Sequence, residues 1–320
     1  MDHQPRNIAR TSLELLIFLA RQAQMALRGF SNLLSHRHAV RYLYRPREDD
    51  LFIVSYPKSG TTLMQMMLYQ MTSEGSMEIP HIDCVAPWIE LWLLRDRADV
   101  LESLPSPRFF KSHLLYDQIP KGRKIIYLVR DVRDVAVSSY HHFCLVTGKQ
   151  PPLDQYIDGF LQGKSPLFGS WFEHTRSWLP HRNDSNVLLL KYEDIISDLP
   201  GTVQAVSQFW GVPVAPEDLP RILERCGINF MRQHNSKFDP RLESQMDWLG
   251  REFIRKGTQG EGRSVFSPEQ NKTLSHRLEK LAGKLGSSKG DDLSQILWPD
   301  LELGGADSRL EGLSHGQERR

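Results

Sequence analysis

Residues 51–62 read Leu-Phe-Ile-Val-Ser-Tyr-Pro-Lys-Ser-Gly-Thr-Thr, an unbroken apolar run followed directly by a turn rich in hydrogen-bond donors. The run from Leu51 to Ser55 shows no alternation of apolar and polar residues, which is typical of a strand in a parallel sheet covered on both faces. Beyond the turn, the segment Thr61–Thr72 has the length and apolar content of a helix. This stretch therefore predicts a strand, a tight turn and a helix in succession.

Three further segments predict buried strands of the same sheet, namely Arg108–His113, Lys124–Val129 and Asn186–Leu190. Two further segments of helical length, Val132–Phe143 and Gly169–Leu179, lie between the third and the fourth of these strands. Strands that alternate with helices over 320 residues favour an α/β fold of three layers, in which helices flank a central parallel sheet.

The turn after the first strand has the composition of an anion site. Gly60 lets the backbone approach a ligand closely, and the amides of Gly60, Thr61 and Thr62 would point from a helix N terminus toward negative charge. The ordinary alternative is a turn capped by Ser59 or Thr61, which leaves Lys58 unexplained. The turn resembles a P-loop, although its lysine precedes the glycine, unlike the lysine of G-x-x-x-x-G-K-[ST]. We therefore predict a P-loop-like fold with a phosphate or sulfate site here.

The second candidate motif is Lys111-Ser112-His113, at the end of a predicted strand. Residues two apart on a strand face the same side, and ligands of open α/β sheets bind at the carboxyl ends of strands. A histidine accepts a proton near neutral pH, and a neighbouring ammonium keeps it neutral. His113 is therefore the candidate general base. Other histidines lack such a partner and receive no role: His141, His142, His174 and His181.

Two further segments carry cations suited to a phosphate monoester. Arg130 directly follows the third predicted strand, which would place it at the same sheet edge as Lys58, and Ser138 lies about two helical turns further on. A guanidinium and a hydroxyl together suit a phosphate, whereas the alternative is a surface ladder of ion pairs with Arg133 and Asp134. The segment Arg255-Lys256-Gly257 supplies two cations and a glycine, a weaker signal of the same kind.

In combination, these motifs resemble those of the cytosolic sulfotransferases that use 3′-phosphoadenosine-5′-phosphosulfate (PAPS), and the resemblance extends from Leu51 to Phe266. It implies transfer of a sulfuryl group from PAPS to a hydroxyl or amine of a small apolar acceptor, with adenosine 3′,5′-bisphosphate as product and no metal. His113 is then the catalytic base, Lys58 stabilises the bridging oxygen, and Lys111 helps to hold the transferring group. The implied nucleotide-binding residues are Lys58, Ser59, Gly60, Thr61, Thr62, Leu63, Arg130, Ser138, Tyr192, Arg255, Lys256 and Gly257.

The chain departs from the family pattern at three places. Leu63 stands where the family has a tryptophan that stacks on adenine, and Asn229 replaces a serine near the adenine. Glu261 and Gly262 replace the Asp-Trp pair of the Arg-Lys-Gly loop. None of these changes removes a donor to sulfate or phosphate.

Two other classes of protein are alternatives. A metal-dependent P-loop kinase or nucleotide hydrolase needs Mg²⁺ and a carboxylate after an apolar strand, for which Asp131 or Glu193 are the candidates, but the order of glycine and lysine opposes it. A non-catalytic nucleotide-binding relative is compatible with Leu63. Turnover of an acceptor distinguishes it from an enzyme.

Composition limits the partners and the compartment. The 40 basic and 39 acidic residues leave a net charge of +1, so net charge gives no reason to expect a nucleic-acid partner. The three cysteines are widely spaced and form no C-x-x-C pair, which favours a reducing compartment, the cytoplasm.

The remaining predictions concern the ends of the chain and the acceptor. We expect a helical N-terminal extension over 1–45, a sulfotransferase domain over 46–282 and a disordered tail over 283–320. The amphipathic pattern over 8–34 predicts a helix packed on the domain, or alternatively one that lies on a membrane surface. Residues 77–99 are expected to line the acceptor site, as in the family, for a phenol, steroid, alcohol, lipid or amine. No firm indication of a homodimer emerges.

Overall fold

The computed structural model describes residues 39–239, 253–255, 257, 259–286 and 296. Within these residues, four parallel strands form one sheet in the order β2-β1-β3-β4. The strands are β1 (Leu51–Ser55), β2 (Phe109–Ser112), β3 (Lys124–Val129) and β4 (Val187–Lys191). All four predicted strands are confirmed, with β2 shorter by one residue at each end and β4 shifted by one residue.

Helices connect and cover the strands. The prediction of Thr61–Thr72 is confirmed without change, whereas the helix from Val132 runs on to Thr147, where Gly148 ends it with a φ of +68°. The helices are α1 (Thr61–Thr72), α2 (Ile89–Leu94), α3 (Ala98–Ser103), α4 (Val132–Thr147), α5 (Leu153–Leu161), α6 (Trp171–Trp178), α7 (Tyr192–Ser197), α8 (Leu199–Trp210), α9 (Leu219–Cys226), α10 (Ile228–Gln233), α11 (Glu261–Val265) and α12 (Pro268–Lys284). The architecture is the predicted α/β fold with a central parallel sheet.

The described residues form two compact units. The first contains the whole sheet and comprises described residues up to Val129 together with those of His181–Gly257. Alternate residues of a strand share one face, and Leu51 and Ile53 of β1 accordingly join Ile126 of β3 in one buried apolar cluster with α1, α8 and α9. This packing fixes the position of the turn between β1 and α1.

A buried ion pair lies at the N-terminal ends of the two adjacent strands β1 and β2. Arg108 Nη2 lies 2.6 Å from Asp50 Oδ2, and Arg108 Nε donates to Asp50 Oδ1 at 2.7 Å. These residues immediately precede Leu51 and Phe109, which are register partners in the sheet. Two parallel hydrogen bonds of this kind add geometric specificity, so the pair fixes the register that brings the ends of β1 and β2 side by side.

The second unit contains the described residues of Arg130–Pro180 and those after Thr258. Here Asp134 is buried and accepts the backbone N–H groups of Gly260 at 2.8 Å and of Gly262 at 2.7 Å. Arg133 is also buried, and its guanidinium lies 2.6 Å from Asp131. The ion pairs of the alternative are therefore present, between Arg133 and Asp131 and between Asp134 and Arg130, but Arg133 and Asp134 are buried and not on the surface. Asp134 also holds the segment before α11 against α4.

Several predictions fall at or beyond the limits of the description. The predicted helix over 8–34, residue Lys256 and nearly all of the predicted tail lie outside the described residues. Cys84, Cys144 and Cys226 are free thiols. Within the described part of the chain, no helix has both the length and the apolar character needed to cross a bilayer.

Candidate active site

The turn after β1 presents an uncapped helix N terminus. Gly60 is the N-cap residue of α1 with a φ of +106°, and no side chain among the described residues caps the helix. The alternative of an ordinary turn capped by Ser59 or Thr61 is therefore wrong. The Ser59 hydroxyl is buried and has no hydrogen-bond partner among the described residues. Amide donors that no described side chain caps and a buried hydroxyl suit an anion, because helix N termini carry partial positive charge.

Lys58 adopts an unusual backbone conformation in this turn. Its φ is +74°, in the left-handed region, which costs a residue with a Cβ about 1–2 kcal/mol. Its ammonium nitrogen lies 4.5 Å from the centroid of the Phe253 ring. Strained backbone of this kind persists where the surroundings impose it, and it is concentrated at functional sites.

Tyr192 packs directly on the turn. It is buried and is the first residue of α7, immediately after β4. A Cβ atom on Gly60 would lie 2.6 Å from Cδ2 of the Tyr192 ring, so the ring occupies the space that glycine leaves open. Leu63 lies one helical turn beyond Gly60 and is buried in the apolar cluster of the first unit.

His113 follows β2 directly, and its ring makes a hydrogen bond with the main chain of β1. Its Nδ1 lies 2.8 Å from the carbonyl oxygen of Ser55, the last residue of β1. A carbonyl oxygen only accepts hydrogen bonds, so Nδ1 carries the proton and Nε2 of the neutral ring carries the lone pair. The contact therefore sets the tautomer that a general base acting through Nε2 requires.

Lys111 and His113 both contact the indole of Trp88. The Lys111 ammonium lies 5.1 Å from the Trp88 ring centroid, and the His113 ring centroid lies 5.2 Å from it. The Lys111 ammonium also lies 3.6 Å from Asp83 Oδ1. Asp83 in turn accepts a hydrogen bond of 3.1 Å from Gln65 of α1. The structure thus brings the two residues of this motif to one side of β2 and anchors the lysine to a carboxylate.

The remaining nucleotide-site candidates are distributed over both units. In the second unit, Arg130 lies 3.7 Å from Asp134 through Nη2, and Ser138 is a half-buried residue of α4. In the first unit, Arg255 is half-buried and Gly257 has a φ of +62°. Lys256, between them, lies outside the described residues.

The sequence matches a model of the sulfotransferase domain over residues 48–286. The chain belongs to the sulfotransferase family. It is 34% identical over 256 residues to a 3-alpha-hydroxysteroid sulfotransferase of Cavia porcellus, a match that covers 76% of this chain and 88% of the relative. It is 31% identical over 276 residues to sulfotransferase 2A1 of Homo sapiens, covering 81% and 90% of the two chains.

Solved structures of the same fold resemble this sulfotransferase. Retinol dehydratase in complex with androsterone and the inactive cofactor PAP gives a TM-score of 0.65 at 26% identity, covering 75% of this chain and 82% of that one. Mouse sulfotransferase SULT7A1 complexed with PAP gives 0.59 at 26% identity, covering 78% and 89%. These matches support the fold that the strand and helix patterns predict.

The segment over 77–99 of this sulfotransferase contributes residues of different kinds. Trp92 and Leu93 are buried core residues, whereas Trp88 is half-buried beside His113. Glu90 was missed by the sequence interpretation, although it accepts the His113 backbone N–H. The sequence offers a signal for Glu90, because it is the only charged residue in the apolar run Trp88–Leu94. A carboxylate in such a run is costly to bury unless it makes hydrogen bonds.

Replacing Gly60 with alanine is expected to lower the free energy of unfolding of the sulfotransferase by about 1–2 kcal/mol. The alanine Cβ both disfavours the φ of +106° and meets the Tyr192 ring. Thermal unfolding measures this change, and titration with adenosine 3′,5′-bisphosphate should show weaker binding. Gly159→Ala is the matched control, because a Cβ there meets no atom within 4 Å among the described residues. It should stabilise α5 by up to about 1 kcal/mol, and equal effects at both positions would contradict the packing argument.

Proposed function

We propose that His113 removes a proton from the acceptor hydroxyl and that Lys58 stabilises the charge on the departing phosphate, in a sulfotransferase that uses PAPS. The observation that carries this proposal is the contact between His113 Nδ1 and the Ser55 carbonyl oxygen at 2.8 Å. It leaves Nε2 as the basic nitrogen of a ring that lies at the carboxyl end of β2, where ligands of parallel sheets bind.

The residues of the β1–α1 turn fit the 5′-phosphosulfate of PAPS. The buried Ser59 hydroxyl lacks a partner among the described residues, and the α1 N terminus offers its first amides to an anion. We assign the turn from Lys58 to Thr62 to this end of the nucleotide. By resemblance to the family, we assign Leu63 to the adenine and Tyr192 to a contact with the nucleotide. We assign Arg130, Ser138 and the loop Arg255–Gly257 to the 3′-phosphate, by resemblance to the family.

The reaction exchanges one sulfur–oxygen bond for another. PAPS supplies an activated sulfuryl group whose bond to the bridging phosphate oxygen is weak. As the acceptor oxygen forms its bond to sulfur, its proton passes to His113 Nε2, and the electron pair of the broken bond remains on the bridging oxygen. The Lys58 ammonium stabilises that developing charge, since fixed cations aimed at developing charge lower the barrier. Lys111 helps to hold the transferring group beside His113.

We infer that the acceptor is an apolar alcohol of steroid type. Relatives of this chain are hydroxysteroid sulfotransferases, and a structure of similar fold holds androsterone with PAP. Within this chain, the half-buried indole of Trp88 beside His113 offers an apolar surface next to the base. An apolar skeleton laid on such a surface gains roughly 25 cal/mol for each Å² removed from water.

Turnover with labelled PAPS tests the acceptor class. We expect a hydroxysteroid to exceed a simple phenol in kcat/KM by about tenfold, which requires the burial of only roughly 60 Å² more apolar surface. The matched control is the same steroid with its hydroxyl oxidised to a ketone, which has no proton to give and should yield no product. A preference for the phenol or for an amine would contradict the steroid assignment. Binding of adenosine 3′,5′-bisphosphate (PAP) without turnover of any acceptor would favour the non-catalytic alternative.

A chelator separates this function from that of a metal-dependent kinase or hydrolase. Phosphoryl transfer by those enzymes requires Mg²⁺, whereas Lys58 and the helix amides supply positive potential here. Turnover is therefore expected to be unchanged in excess EDTA. A loss of activity that Mg²⁺ restores would contradict the proposed chemistry.

We also infer a cytoplasmic location. Cys84, Cys144 and Cys226 are free thiols, which is typical of proteins of a reducing compartment. Fluorescence microscopy of the tagged full-length chain tests this inference, and secretion of the protein would contradict it.

A further inference from the structure

Glu90 is a buried carboxyl at the candidate active site. It lies in the first turn of α2, and only 1% of its surface is exposed. Its Oε1 accepts the backbone N–H of His113 at 2.7 Å and the hydroxyl of Ser112 at 3.3 Å. Its Oε2 is buried and has no hydrogen-bond partner among the described residues. Burial of a carboxyl with one oxygen unpaired among the described residues costs free energy. Packing alone therefore does not explain a glutamate at this position.

The position of Glu90 follows from the hydrogen bonding of β2. One edge of β2 pairs with β1. On the other edge, the Lys111 N–H donates to the Pro87 carbonyl at 2.8 Å, in a short parallel bridge that involves Trp88. Successive N–H groups on one edge of a strand come two residues apart, so the next donor on this edge is that of His113. The chain enters α2 at Ile89, so no strand continues beside His113 on this edge. The Glu90 carboxyl accepts the His113 N–H in place of a strand carbonyl.

We propose that Glu90 is a positioning residue, which fixes the His113 backbone so that its ring delivers Nε2 to the acceptor. The proposal rests on the proposed role of His113 as base. His113 is then fixed at two points, with the main-chain N–H on Glu90 and the ring Nδ1 on the Ser55 carbonyl. The two contacts act on different parts of the residue, because Glu90 holds the main chain and Ser55 holds the ring. A displacement of about 1 Å at a reacting group lowers the rate by up to about a hundredfold.

The burial of Glu90 also affects its pKa. Burial raises the pKa of the Glu90 carboxyl, with the hydrogen bond from His113 acting in the opposite direction. The neutral form is therefore favoured relative to an exposed glutamate.

Two variants of similar length separate the acceptor function from burial. Glu90→Gln keeps a carbonyl oxygen at the position of Oε1, whereas Glu90→Met fills the same space without an acceptor. We expect kcat to fall about tenfold in Glu90→Met, with the acceptor KM and the affinity for adenosine 3′,5′-bisphosphate unchanged. Glu90→Gln should retain most of the parent kcat. Thermal unfolding of both proteins establishes that they are folded.

A third variant and a reference variant complete the experiment. Ser112→Ala removes the other donor to Oε1 but leaves the His113 N–H in place, and it should lower kcat less than Glu90→Met does. His113→Ala is measured beside them. Parent-like kcat in Glu90→Met, while His113→Ala is inactive, overturns the positioning role alone. Equal losses in Glu90→Gln and Glu90→Met also overturn it, because the carboxyl itself is then required. An active His113→Ala overturns the proposed function.

Discussion

Replacing His113 with alanine is expected to lower turnover by at least about a hundredfold, the range in which a general base contributes. The variant loses the lone pair of Nε2 and leaves the Ser55 carbonyl without its ring donor. Because His113 is not assigned to the nucleotide, the affinity for adenosine 3′,5′-bisphosphate should be unchanged. Initial rates at saturating PAPS and acceptor, together with a calorimetric titration, measure both quantities.

The control for this variant is His141→Ala. His141 is exposed on α4 and has no assigned role, so its removal should leave turnover at the parent value. Near-normal turnover in His113→Ala with a good acceptor would show that the proton leaves by another route. A loss of nucleotide affinity equal to the loss of rate would instead show that His113 acts in binding.

Replacing Lys58 with glycine is expected to lower kcat by about a hundredfold to a thousandfold, as for removal of one preorganised donor to developing charge. The same change should not destabilise the protein. Glycine adopts the φ of +74° freely, and the strain relieved, about 1–2 kcal/mol, exceeds the extra entropy of an unfolded glycine, about 0.5–1 kcal/mol. Loss of the contact between the Lys58 ammonium and the Phe253 ring, worth about 0.5–1 kcal/mol, offsets the difference. The free energy of unfolding is therefore expected to change by less than about 1 kcal/mol.

Asp96→Gly provides the matched control for Lys58→Gly. Asp96 shares the left-handed conformation, with a φ of +56°, but lies in the exposed turn between α2 and α3. The control should also change in stability by less than about 1 kcal/mol, and it should keep full turnover. Chemical denaturation and initial rates of both variants decide the question. A fully active Lys58→Gly protein would remove Lys58 from the catalytic group, and a strongly destabilised one would contradict the strain argument.

The sequence predicts correctly those strands, helices and turns whose structure depends on residues close to one another in the chain. The apolar run of β3 and the segment Thr61–Thr72 have structures with the predicted bounds, because burial on both faces and helical content leave direct marks on the sequence. The turn was predicted as an anion site from its donors alone. Within the described part of the chain, its helix N terminus has no side-chain cap and the Ser59 hydroxyl has no hydrogen-bond partner, which is consistent with that prediction.

Residues whose partners lie far along the chain were beyond such prediction. The pair of Asp134 with Arg130 follows from their spacing in sequence. The burial of Asp134 and its bonds to two amides more than 120 residues away do not. Glu90 was overlooked because the amide that it binds, that of His113, belongs to another element. Sequence spacing within one helix or strand contains no information on such contacts.

Gly262 limits how this enzyme can be recombined with its relatives. Any Cβ at position 262 would overlap the backbone of Arg133, while the Gly262 amide is bonded to Asp134. A chimera that imports a relative's loop with tryptophan at this place would push the loop off the first turn of α4. Exchange of the loop therefore requires exchange of the start of α4 with it, and the two segments form a single cassette for engineering.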